Sequence, residues 1–182
     1  MTTTPVTGEV WGEDREAPRA YLLSEGEKRF AELRPAVDAA RTELLAALEG
    51  VSDEQARFRP AGGEGEDAWG IAEVAYHLAR TEPWILARVR ATAAGEEPQR
   101  APVVVTEGDP LSKLLDAIKA SHVELLSLVA EIDGSERTDT LWAHPQFGEI
   151  NCRSWFRLEG LHEADHARQI GKLKALPDFP KE

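Results

Sequence analysis

Three histidines carry the clearest chemical signal in the sequence. His162 and His166 are four residues apart in a segment of helical periodicity, so they should lie one turn apart on one face. That face is otherwise apolar, and a buried polar group without a partner costs about 1–3 kcal/mol. His77 lies on the apolar side of another helical segment and would complete a set of three imidazoles. We therefore predict a divalent metal ion on His77, His162 and His166, with open coordination positions.

Simpler interpretations of these histidines also exist. The pair on the last helix could be two surface residues, and His77 could be a lone core histidine bonded to a carbonyl. Residues 162–166 also match the H-E-x-x-H pattern of zinc metalloproteases, with Glu163 as the general base. So short a pattern arises by chance on helices, and the chain offers no sheet to present a peptide. We disfavour the protease interpretation.

Other side chains are weaker candidates for chemistry. The sequence suggests a general acid or base without placing any near the ion; the candidates are Glu73, Glu82, Glu159, Glu163 and Asp165. An anionic substrate group could bind a guanidinium; these candidates are Arg80, Arg153 and Arg157, although a solvated ion-paired face is commoner. Indole rings could line a pocket, but core packing is the usual role; these are Trp84, Trp142 and Trp155. Cys152 has no neighbour that would activate its thiol.

Four long amphipathic segments must position these residues. The apolar periodicity predicts helices over about 24–48, from about 69 to beyond Val89, over about 109–132, and over about 152–176. Pro35 should kink the first, and Pro83 should kink or divide the second. One short β-like run, 102–106, is too little for a sheet. We predict an all-α four-helix bundle with long connecting loops.

Composition limits the class of partner. The 182 residues carry a net charge of −12, which disfavours nucleic acid and anionic membranes and leaves a small-molecule substrate as the expected partner. A single cysteine is typical of a cytoplasmic protein. We expect an N-terminal arm over residues 1–20, a bundle domain over 21–182, and association as a homodimer.

Three stretches in sequence order resemble the DinB-like superfamily. They are the lead-in 48–60, the segment 69–82 with its Trp-Gly-x-x-Glu-Val-x-x-His-Leu pattern, and 144–148 followed by His-x-x-x-His-x-x-Gln at 162–169. The resemblance implies a four-helix bundle that binds zinc or nickel on His77, His162 and His166. Gly70 departs from the family's usual Ser or Thr, which predicts a different cap, and the segment 62–66 looks expanded.

The resemblance also implies a function. Members include bacillithiol and mycothiol S-transferases, so we expect a metal-dependent enzyme that transfers a low-molecular-weight thiol or performs a related hydrolysis. The alternative is a non-catalytic, metal- or ligand-binding stress-response bundle. The turn at 144–148 lies between the third and fourth helices, so we expect it at the mouth of the site and outside the metal's ligand shell.

Overall fold

The computed structural model describes residues 16–181, and these residues are mostly helical. A 3-10 helix, Gly65–Ala68, precedes the second long helix. The α-helices are α1 Glu16–Glu25, α2 Phe30–Leu48, α3 Asp53–Arg57, α4 Ile71–Ala94, α5 Leu111–Ile132 and α6 Cys152–Lys174. None of these described helices has both the length and the apolar composition needed to cross a membrane.

Helices α2, α4, α5 and α6 form the predicted four-helix bundle. Helix α6 packs against both α2 and α4, while α5 packs on the other side of α4. The apolar stripes predicted from the sequence are buried in two clusters, one near each end of the bundle. Gly160 allows the close approach of α6 to α2, because a Cβ there would lie 3.1 Å from the Cα of Val37.

The first helical segment differs from its predicted bounds. Its helix, α2, begins at Phe30 and not near residue 24, and a separate helix, α1, precedes it and includes residues 16–20, which the sequence places in an arm. Tyr21 and Leu22 are buried, and α1 packs against α6, so apolar contact with the bundle explains this helix. The rest of the predicted arm, residues 1–15, lies outside the described residues.

Neither proline divides its helix. Helix α2 continues through Pro35, and α4 is one helix across Pro83, so the predicted division of α4 is wrong. Burial of the α4 stripe on both sides of Pro83, at Leu78 and Ile85, outweighs the one lost backbone hydrogen bond. Residues 102–106 form no strand.

The loop before α6 contains a small hairpin that the sequence did not predict. Strand β1, Trp142–His144, pairs antiparallel with β2, Gly148–Ile150, so that His144 lies opposite Gly148. The intervening turn buries Phe147 completely, and Gly148 has a φ of +67°, where glycine is favoured. The hairpin ends directly at α6, because the Asn151 side chain caps that helix through the backbone N–H of Ser154.

Candidate metal centre

The packing of α4 against α6 brings the three histidines together. The Nε2 atoms of His77 and His162 lie 2.8 Å apart, and those of His162 and His166 lie 3.1 Å apart. One ring nitrogen of each residue lies within 4.8 Å of the other two. Two nitrogen ligands of a tetrahedral ion, each at 2.0–2.1 Å, would be about 3.3–3.4 Å apart. The nitrogens therefore need only small shifts to bind one divalent ion.

The protonation state of the rings also suits a metal. Burial, with the neighbouring His166 and Arg80, lowers the pKa of His77 to about 4. Burial and the adjacent imidazoles lower the pKa of His162 far below its ordinary value, and burial lowers that of His166. All three rings are therefore neutral at pH 7, which is the state that ligates a metal.

A chain of hydrogen bonds fixes the orientation of His166. Its Nδ1 lies 2.8 Å from the Oε1 of Gln169, and the Nε2 of Gln169 donates to the backbone carbonyl of Glu66 at 2.7 Å. Gln169 Oε1 can only accept, so the ring proton belongs on Nδ1. The lone pair of Nε2 is then directed at the other histidines. Such outer partners set the tautomer and basicity of a metal ligand.

Trp69 packs against the same rings. Its indole centroid lies 5.0 Å from the ring of His77 and 6.4 Å from that of His166, and the second pair is nearly parallel. Trp69 is the C-cap of the 3-10 helix, so the segment before α4 reaches the histidine cluster through both Trp69 and Glu66. The segment 62–66, which looked expanded in the sequence, therefore does contact the metal motif.

The histidine cluster opens on a cavity of about 390 Å³. His77 and His162 line it, whereas His166 lies behind them and is buried. The other lining residues come from the 3-10 helix, α4, the hairpin turn and α6: Glu66, Thr81, Trp84, Ile85, His144, Pro145, Gln146 and Leu158. The volume is within the usual range for a small-molecule site. A ligand in this cavity would face two of the three imidazoles.

The comparisons with known proteins concern the family and the fold. Residues 36–170, which include all three histidines, match the DinB superfamily. This chain belongs to the DinB superfamily. The uncharacterized protein YuaE of Bacillus subtilis (strain 168) is 25% identical over 159 residues, covering 74% of this chain and 93% of YuaE. The four-helix bundle protein TT2238 has a similar fold, with a TM-score of 0.58 and 24% identity over 78% of this chain and 97% of TT2238.

Gly70 explains one departure from the DinB-like pattern. It is the N-cap of α4, and a Cβ there would lie 2.2 Å from the carbonyl oxygen of Phe58. A serine or threonine would therefore clash. Glu73 takes over part of the capping, since its Oε2 accepts from the N–H of Gly70 at 2.9 Å while Oε1 pairs with Arg59. Glu73, an acid–base candidate in the sequence, therefore caps α4 and is not among the residues that line the cavity described above.

The remaining acid–base candidates do not line the cavity of this DinB-superfamily chain. Glu163 points away from the imidazoles to Arg41, so it cannot act as the base of a protease-like site. Glu82 and Glu159 lie with Glu163 in the same buried group. Asp165 pairs with Arg168. The sequence interpretation missed Glu66 and Thr81, which do line the cavity. Thr81 lies one turn after His77 on α4, a spacing that could have been noticed, whereas nothing in a single sequence shows that the 3-10 helix of Glu66 reaches the site.

Two of the three candidate arginines are engaged elsewhere. Arg153 pairs with Glu136, and Arg157 contacts Glu25 and the hydroxyl of Tyr21. These contacts fasten α6 to α1 and to the loop before the hairpin. Arg80 lies over the ring of Tyr76, with 5.7 Å from its guanidinium carbon to the ring centroid. None of the three is among the residues that line the cavity.

The other residues singled out from the sequence have mixed outcomes. Trp84 lines the cavity, Trp155 is fully buried in the core, and the Trp142 indole donates to the Glu96 carbonyl. Cys152 is buried, and burial raises its pKa to about 11, so the thiolate form that a nucleophile needs is disfavoured at neutral pH. A further histidine of the bundle, His122, has its Nε2 3.6 Å from the Oδ1 of Asp38 and is not part of the metal cluster.

Proposed function

We propose that the chain is a metal-dependent enzyme that holds one zinc or nickel ion on His77, His162 and His166. The observation that supports this most directly is the convergence of three neutral imidazoles at the wall of a ligand-sized cavity. Bound there, a divalent ion would lower the pKa of a thiol or a water and so supply a nucleophile at neutral pH. Three protein ligands leave at least one position for such a group.

The proposed reaction is transfer of a low-molecular-weight thiol to a small electrophile. The thiol sulfur forms a bond to the electrophilic carbon, the leaving group departs with its electron pair, and the thiol proton passes to solvent or to a cavity side chain. Trp84, Ile85 and Leu158 form an apolar wall for the electrophile, and Thr81 and Gln146 add polar groups. The related hydrolysis would use water in place of the thiol.

The experiment compares metal-loaded wild-type protein with its His162→Ala variant. Each is incubated with several small thiols and a chromogenic electrophile, and the rate above the protein-free reaction is measured. We expect wild type alone to accelerate the reaction, and the exposed variant Glu124→Gln to match wild type. Equal rates for wild type and His162→Ala would overturn the transferase proposal.

A non-catalytic binder is the second candidate. It is favoured by one observation: no acid or base that the sequence nominated lines the cavity, where the ionisable side chains near the imidazoles are Glu66 and His144. In that case the loaded protein would bind metal stoichiometrically and accelerate none of the thiol reactions.

A further inference from the structure

A second cluster of ionisable side chains lies inside the bundle, apart from the imidazoles. Glu82 of α4 and Glu159 and Glu163 of α6 each place a carboxylate oxygen within 4.8 Å of the other two. Their exposed fractions are 4%, 1% and 0%, and Arg41 of α2, beside them, is 4% exposed. Charged residues of this kind are almost never so buried unless they are paired.

Arg41 compensates only part of this cluster. Its Nη2 donates to the Oε1 of Glu163 at 2.5 Å and lies 3.0 Å from the Oε1 of Glu82. Its Nη1 donates to the backbone carbonyl of Ile118 at 3.3 Å. Among the described residues, no nitrogen or hydroxyl donor bonds to either oxygen of Glu159, to the Oε2 of Glu82 or to the Oε2 of Glu163, and Arg41 is the donor that lies near the Oε1 of Glu82.

The charge balance indicates what the cluster lacks. Three ionised carboxylates and one guanidinium leave two negative charges in a site closed to solvent. An uncompensated buried charge costs several kcal/mol, so the folded protein must neutralise the excess. Either two protons or one divalent cation would do so.

We propose that this carboxylate cluster is a second cation site, which takes a hard divalent ion of the Mg²⁺ and Mn²⁺ class. Glu159 supports the proposal most strongly, because this residue is 1% exposed, its carboxylate receives no hydrogen bond from a nitrogen or hydroxyl donor among the described residues, and one of its oxygens lies within 4.8 Å of the other two carboxylates. Its ligands would all be carboxylate oxygens, which suit hard cations, whereas the imidazoles suit zinc or nickel. The two sites would thus differ in the metal they select.

This inference does not depend on the proposed enzymatic function. The two sites use different atoms, although both take two residues from α6. The competing outcome is protonation of the carboxylates. In that case a protonated Glu163 would donate a hydrogen bond to Glu159, and bound protons would keep the buried cluster neutral. The experiment must separate a bound ion from bound protons and from Mn²⁺ at the imidazoles.

The test uses the full chain with His162→Ala and His166→Ala, which removes the imidazole site. The protein is equilibrated with Mn²⁺ at pH 8, where carboxylates compete best with protons, and is refolded from urea in Mn²⁺ so that access is not limiting. Bound Mn²⁺ is counted by electron paramagnetic resonance after gel filtration. We expect about one Mn²⁺ per chain, and loss of nearly all of it on adding Glu159→Gln.

Two further variants keep the result interpretable. Glu124→Gln on the same background removes an exposed carboxylate and should leave the bound Mn²⁺ unchanged. Glu82→Gln should abolish binding as Glu159→Gln does, and it replaces that variant if the latter is not helical by circular dichroism. Absence of bound Mn²⁺ on the double-histidine background would show that protons neutralise the cluster and would overturn the proposal. Equal binding with and without Glu159→Gln would overturn it too.

Discussion

The histidine cluster and the carboxylate cluster are built from the same two helices with opposite results. Each takes one residue from α4 and two residues one turn apart on α6. The imidazoles are neutral and open on a cavity, whereas the carboxylates are enclosed and share the charge of Arg41. On α6 the two clusters are therefore less than one helical turn apart. One is open to a ligand, and the other is a buried group of carboxylates whose excess negative charge needs protons or a cation.

The two clusters also respond to pH in opposite senses. The pKa of His77 is lowered to about 4 in the folded chain. As the pH falls, this histidine therefore takes up a proton near pH 6.5 in the unfolded chain but only near pH 4 in the folded chain. The histidine contribution to stability is therefore present above pH 6.5 and lost as the pH falls towards 4. Burial and mutual repulsion raise the pKa of Glu82 and Glu163. Their contribution is present below about pH 4.5 and lost as the pH rises through the raised pKa.

The largest expected effect is on the carboxylate cluster. Arg41→Met in metal-free protein should reduce the free energy of unfolding by about 3–5 kcal/mol, because it leaves three buried carboxylates without their cation. Urea denaturation at pH 7.5 measures the loss. The matched control is Arg90→Met, whose exposed pair with Glu124 is worth about 0–1 kcal/mol. Similar losses for the two variants would show that the cluster is already neutral without Arg41.

At pH 7.5, where the imidazoles are neutral, the histidine cluster should affect stability mainly through bound metal. Removing metal should leave the helical circular dichroism intact, because the buried stripes of α2, α4, α5 and α6 hold the bundle together. Adding Zn²⁺ at about 100 times its dissociation constant should then stabilise the fold by about 2.7 kcal/mol. Thermal melting with and without Zn²⁺ measures this shift, and the double variant His162→Ala, His166→Ala should show none. Loss of helicity on chelation would contradict the prediction.

The next effect tests whether Gln169 orients a metal ligand. Gln169→Leu keeps the side-chain volume but removes the acceptor at His166 Nδ1, so metal affinity should fall by about 10–100-fold. Competition with a chromophoric chelator gives the affinity. Arg168→Leu, which alters a neighbouring exposed residue, is the control and should change little. Unchanged affinity in Gln169→Leu would mean that helix packing alone fixes the His166 ring.

A smaller effect is expected from pH. Ordinary imidazoles would lose metal as the pH falls through about 6.5. Because the pKa of His77 is lowered to about 4 and those of His162 and His166 are also lowered, metal affinity should stay nearly constant from pH 7.5 to 6 and fall below that. Titration calorimetry in buffers of different ionisation enthalpy tests this, since few protons should be released above pH 6. A tenfold loss of affinity between pH 7 and pH 6 would contradict it.

The sequence predicted the histidine cluster better than the carboxylate cluster for a physical reason. The i, i+4 spacing on α6 is local, and the apolar faces around His77 and His162 indicated that α4 and α6 would meet there. The protease-like pattern around Glu163 was rightly disfavoured, but the sequence left Glu163 as one of five acid–base candidates, because its partner, Arg41, lies 122 residues away. The contact depends on the rotation of α2 against α6, which no local pattern specifies.

A signal for the carboxylate cluster was nevertheless present. Arg41 lies on the α2 stripe between Val37 and Leu44, and Glu82 lies on the α4 stripe between Leu78 and Ile85. A charged residue inside an apolar stripe must find a buried partner, so opposite charges in two stripes indicate that these side chains meet in the bundle core. The hairpin and the cavity side chains had no such signal, because loop closure over a site depends on long-range packing.

The smallest expected effect concerns His144, which we predict lies at the mouth of the site and outside the ligand shell. His144 lines the same cavity as His77 and His162, its ring stacks on Phe147 with centroids 4.9 Å apart, and its Nδ1 accepts from the N–H of Gln146 at 3.1 Å. These contacts belong to the hairpin turn and would hold the ring whether or not a metal is bound. His144→Ala should therefore keep one metal ion per chain, with an affinity within about twofold of wild type, because the substitution removes none of the three side chains that bind the metal directly. Plasma emission spectroscopy after chelator competition measures both quantities, and His166→Ala is the matched control that should lose the ion.

If His144→Ala lost its metal as His166→Ala does, the turn would have to fold inward to supply a ligand. The histidine cluster would then be a closed four-ligand site, as enclosed as the carboxylate cluster beside it.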